Sequence, residues 1–99
     1  MNEDISKMNI PRITSIDEAL KIYYSNSEIG NKEIVSLFGR ISPATVSRLK
    51  KTVREEMNRR NIVSYGNYKI NTGIAFDIWG IDVVDLEKRR NKLRDLNLQ

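Results

Sequence analysis

Between positions 44 and 51 the chain reads Ala-Thr-Val-Ser-Arg-Leu-Lys-Lys. Setting aside the apolar Val46 and Leu49 leaves side chains suited to one kind of chemistry. Arg48 carries N–H donors in a rigid fork that matches the O6 and N7 acceptors on a guanine edge. Ala44 and Thr45 can meet a thymine methyl, and the Ser47 hydroxyl can take either a base or a phosphate oxygen. Arg40, Lys50, Lys51, Arg54 and, further along, Lys69 are cations of the type that neutralises backbone phosphates. No acid occurs from Arg40 to Arg54, whereas a solvated helix face more often carries glutamate as well.

Such a face needs a helix to present it, and the surrounding residues specify one. Ser42 and Pro43 form an N-cap followed by proline at the first helical position, and Val46, Leu49, Val53 and Met57 then recur on one side, so the spacing predicts a helix from Ser42 to about Arg60. At 1.5 Å per residue it would span roughly 28 Å, so only its first half is expected to enter a groove. Before it, Ile34, Leu37 and Phe38 mark a short helix that Gly39 can end. Two short helices joined by a glycine-containing turn are the layout of a helix-turn-helix, whose second helix lies in the DNA major groove.

The run Ile-Ser-Pro-Ala-Thr-Val-Ser-Arg-Leu at 41–49 resembles the start of the recognition helix in bacterial helix-turn-helix regulators, among them the lac repressor family and many prophage repressors. In that unit, apolar residues occupy the fourth, eighth, tenth, fifteenth and eighteenth positions, with a small fifth residue and a glycine at the ninth. Ile34, Val35, Phe38 and Gly39 match, and Ile41, Val46 and Leu49 match once Arg40 is skipped, so the turn is one residue longer than usual. The resemblance implies sequence-specific recognition of double-stranded DNA by a small transcriptional regulator or a DNA-binding accessory protein of a prophage or mobile element.

Charge points the same way. Arg40 to Lys69 holds eight bases and two acids, a net +6, in a chain whose total is +4, so the rest carries −2. A positive field confined to one segment is the footprint of a phosphate-binding face. The plainer alternative is a solvated helix laced by Glu55–Arg59 and Glu56–Arg60 pairs at i,i+4 spacing, which leaves Arg48, Lys50, Lys51 and Arg54 without a role.

Ninety-nine residues suffice for one core, and the absence of any long apolar run predicts a cytoplasmic protein with neither signal peptide nor membrane span. With no cysteine and no histidine, disulfides, zinc fingers and the commonest general base are excluded. No cofactor, metal or small-molecule ligand is implied. Asp77, Asp82, Asp85 and Glu87 could be cast as a magnesium cluster, but they read more simply as helix caps and first-turn charges, so no catalytic residue is assigned and the protein is not expected to be an enzyme.

The expected fold is mainly all-α: a flexible arm over 1–14, then a single domain over 15–99 with a three-helix core and a C-terminal helical extension. Ser15 and Glu18 suggest a capping box opening a first helix with Ile16, Ala19, Leu20 and Tyr23 inward. Gly30 as a cap would place Ile29 and Ile34 as a hydrophobic staple. Residues 63–70 fit either a small β-hairpin turning at Gly66 and Asn67, like the wing of winged-helix proteins, or a polar loop carrying two tyrosines. Over 71–80 strand and helix periods compete, and helix is preferred because a strand would lack partners, with Trp79 as a core anchor. A last helix over 83–97 presents Leu86, Leu93 and Leu96 as the contact of an expected homodimer, although Arg90 interrupts any coiled-coil seam. The competing functional class is a protein–protein adaptor or an assembly or packaging factor built on the same three helices.

Overall fold

The computed structural model describes residues 10–97. Helix α1 (Ile16–Ser25) starts where the Ser15 hydroxyl accepts the Glu18 N–H at 3.2 Å, and it buries Ala19, Leu20 and Ile22. Strand β1 (Glu28–Ile29) leads into α2 (Asn31–Phe38), whose first turn is closed by the Glu33 carboxylate accepting the Gly30 N–H at 2.8 Å. Ile29 and Ile34 flank that cap and are both fully buried, as the staple spacing predicts. Gly39 ends α2 with φ +83° and ψ −146°, a conformation essentially reserved for glycine, and a Cβ there would lie 2.9 Å from Thr14 Cγ2.

Helix α3 (Pro43–Arg59) begins at the expected cap, with the Ser42 hydroxyl accepting the Thr45 N–H at 3.1 Å. Val46, Leu49, Val53 and Met57 are its buried stripe. It ends in a Schellman turn: Asn61, at φ +57°, donates to Asn58 O, and Ile62 donates to Met57 O. Strand β2 (Ile70–Asn71) passes directly into α4 (Thr72–Ile78), where the Asn71 side chain caps the Ile74 N–H at 2.9 Å. Gly80, at φ +72°, closes α4 with a second Schellman turn through Ile81 N–H to Phe76 O, and α5 (Val83–Asn97) follows from an Asp82 cap on the Asp85 N–H. The described residues are thus mainly helical, with five helices and one small sheet.

Core packing joins the three N-terminal helices to α4. Trp79 is the expected anchor: its ring meets Phe38 edge-on at 5.4 Å and its indole N–H donates to Leu49 O at 3.4 Å, tying α4 to the middle of α3. Tyr23 packs on Phe76 at 5.1 Å, and the Tyr24 hydroxyl donates to Glu87 at 2.7 Å, which fastens α5 to α1.

Two expectations require correction, and one open alternative is decided. Residues 10–14 are not a free arm: Ile10 and Ile13 pack against the core, and Thr14 donates through its N–H and hydroxyl to the Leu37 and Ser36 carbonyls that α2 leaves unsatisfied at its C-terminus. Residues 1–9 of the expected arm lie outside the described residues. Of the two readings of residues 63–70, the polar loop carrying two exposed tyrosines is the one found, and no hairpin forms. Ile70 and Asn71 pair instead with Ile29 and Glu28 across a two-stranded antiparallel sheet, because Ile70 and Ile29 are both fully buried there, a gain that an isolated surface hairpin would lack. Leu86, assigned to the dimer contact, is only 8% exposed and belongs to the protein's own core.

Candidate nucleic-acid interface

The α2–turn–α3 unit places the sequence-derived contact residues on two different kinds of surface. Ala44, Ser47, Arg48 and Lys51 are exposed on the first half of α3, and no acid occupies its first turn. Thr45 is half-buried, with its hydroxyl 3.0 Å from the Ser42 hydroxyl. Arg40 is exposed in the turn that Gly39 begins, and Arg54 is exposed one helical turn beyond Lys50. Helical geometry unites these residues because the opposite stripe is locked into the core.

Lys50 behaves differently from its neighbours. It lies four residues after Val46 and three before Val53, on the flank of the buried stripe, and only 5% of it is exposed. It is therefore not a freely exposed phosphate contact like Lys51. Its ammonium donates to the Asn31 side-chain oxygen at 2.9 Å, at the first residue of α2. Burial, followed by the nearby Arg54 charge, pushes its pKa below the usual lysine range.

The basic far end of α3 is largely neutralised within the fold. Arg59 pairs with Glu56 rather than Glu55; Arg60 pairs with Glu56 at 2.5 Å and approaches Asp77 at 3.7 Å. The outward cationic surface is therefore concentrated at the N-terminal half of the helix.

Beside α2 stands a loop whose construction the sequence did not disclose. The Glu28 carboxylate accepts the Tyr65 and Gly66 N–H groups, both at 2.8 Å, and these bonds hold its pKa below the ordinary glutamate value. The Ser64 hydroxyl reaches the Gly66 and Lys69 carbonyls, at 2.9 and 2.7 Å, while Lys69 N–H closes a turn on Gly66 O at 3.2 Å. Tyr68 sits in that turn at φ +62°, a position that favours glycine or asparagine. Tyr65 and Tyr68 are 94% and 80% exposed. Lys69 is exposed, and its stem crosses Gly30: a Cβ on that glycine would lie 3.6 Å from Lys69 Cγ.

The carboxylates once cast as a metal cluster have other partners. Asp77 faces Arg60, Asp82 caps α5, Asp85 pairs with Arg89 at 2.7 Å and Glu87 accepts from Tyr24. Among the described residues, no group of three or more such side chains stands close enough to hold a metal ion, and no helix is long and apolar enough to cross a membrane. Comparison of the chain with protein-family models, with curated proteins and with solved structures returns no match.

Proposed function

We propose that the protein binds double-stranded DNA in a sequence-dependent manner, with the first half of α3 in the major groove, as a small regulator or accessory protein acting in two-fold pairs. One observation carries this reading: Ala44, Ser47, Arg48 and Lys51 are exposed together, on an acid-free helical turn that follows a glycine-ended partner helix. Small residues let the helix approach base edges, Arg48 supplies a forked donor, and Arg40, Lys51 and Arg54 flank it as phosphate contacts. The 64–69 loop follows α3 in the chain and leaves Asn67 and Lys69 exposed as further candidate backbone contacts.

The adaptor reading draws its support from the exposed Val63, Tyr65 and Tyr68. Salt separates the two. Binding that neutralises several phosphates should fall steeply between low and physiological salt, with a log–log slope of roughly −0.9 per phosphate contact on duplex DNA. Titration of the full chain against a random duplex pool at several salt concentrations measures it. No binding at any salt, or a flat dependence, rejects the DNA reading.

A further inference from the structure

Lys50 poses an electrostatic problem that the fold leaves open. A buried cation normally faces a carboxylate or several acceptors, because desolvating the charge is otherwise costly. Among the described residues Lys50 has one acceptor, the neutral Asn31, although its ammonium carries three donors. Among the described residues no carboxylate pairs with it; the nearby Glu33 accepts from the Gly30 N–H, and the charge that bears on Lys50 is that of another cation, Arg54.

Lys50 is also not sealed in. It lines a cleft of about 330 Å³ between the first turn of α2 and the 67–69 turn, and Lys32 and Lys69 line the same cleft. Three lysines therefore line one depression whose lining includes a single carboxylate residue, Glu33, itself engaged. The wall formed by Tyr68 and Lys69 is fixed from behind by the Glu28 and Ser64 bonds, so the cleft exists before any ligand arrives.

We propose that this cleft is a site for one phosphate group, with Lys50 donating from its floor and Lys32 and Lys69 from its rim. The second part of the inference rests on the DNA reading: the phosphate is then one backbone phosphate of the bound duplex, beside the groove that α3 enters. Lys50 thereby acts as a fixed, desolvated contact, whereas Lys51 is a mobile surface charge. A buried lysine held for a ligand also lowers the stability of the free protein.

Titration of the full-length protein with inorganic phosphate, against chloride at equal ionic strength and followed by amide NMR, tests the site without DNA. Saturable shifts at Asn31, Lys32 and Lys69 are expected. They should vanish in Lys50→Met, which should also melt at a higher temperature than the parent, and weaken several-fold in Lys69→Ala, whose exposed position leaves folding unaffected. Phosphate shifts equal to those of chloride, or saturation that survives Lys50→Met, overturn the site. A duplex scanned with single neutral methylphosphonate linkages then identifies the source. One linkage should lower parental affinity about tenfold and have no effect on Lys50→Met. If phosphate saturates the cleft but no duplex binds, the site stands as one for a free phosphate and the DNA reading fails. If duplex binds and no linkage effect depends on Lys50, the cleft does not hold a backbone phosphate, and that part of the inference fails while the DNA reading stands.

Discussion

Arg48 and Lys51 are three residues apart on the exposed side of α3, yet their chemistry assigns them different work. A guanidinium can make paired hydrogen bonds to one base, whereas an ammonium on a flexible stem acts as a point charge towards the backbone. Arg48→Ala should therefore cost about 1–3 kcal/mol on the preferred site and relax the base preference there, while Lys51→Ala should weaken all sequences evenly and reduce the salt slope by roughly one. Titrating both variants against a selected duplex and a random one checks this; equal losses on both duplexes for Arg48→Ala would remove it from base reading. These exposures were legible in the sequence because the Val46, Leu49, Val53 stripe fixes which side of the helix remains outside. Lys50 was legible too, though only by weighing position over charge: its i+4 distance from Val46 puts its stem on the stripe, and its ammonium follows. Lys32 and Asn31 gave no comparable signal, since their part depends on where a distant loop comes to rest.

At the scale of elements, helix boundaries were readable because their chemistry is local. Ser15, Gly30, Ser42, Asn71 and Asp82 each stand at the helix start that capping rules assign. The 63–70 segment was not readable, because Ile70 pairs with Ile29 far back in the chain and Glu28, an unremarkable acid in the sequence, anchors the loop. That anchor can be measured. Its carboxylate pKa is lowered in the fold, so its contribution to stability is complete above the ordinary glutamate pKa and is lost as pH falls through the lowered value. Glu28→Gln replaces one accepting oxygen with a donor, so at neutral pH it should be less stable than the parent, with faster hydrogen exchange at the Tyr65 and Gly66 amides. Urea unfolding at a series of pH values should show the gap between parent and variant closing in acid. A gap that stays constant down to the acid limit would mean that the carboxylate charge does not hold the loop.

For the whole molecule, the open matter is how one small domain selects a site. A single recognition helix reads few base pairs, and two modules on a palindrome are the usual remedy. With Leu86 absorbed into the core, what remains of the expected contact on α5 is Leu93 and Leu96, 54% and 63% exposed. Burying the exposed halves of four such side chains across a two-fold axis supplies on the order of 3–6 kcal/mol. Association costs an estimated 4–15 kcal/mol in lost translational and rotational freedom, so these leucines alone do not hold a tight dimer free in solution. The duplex must contribute by bringing two copies together at half-sites about one helical turn, roughly 34 Å, apart. Analytical ultracentrifugation should then find weak self-association of the free protein and two copies on a palindromic duplex, bound cooperatively. Leu93→Glu should remove the cooperativity and leave binding to one half-site intact. Unit stoichiometry on a single asymmetric site would refute the pair, and cooperativity that survives Leu93→Glu would move the contact away from α5, with α1 the next element to test.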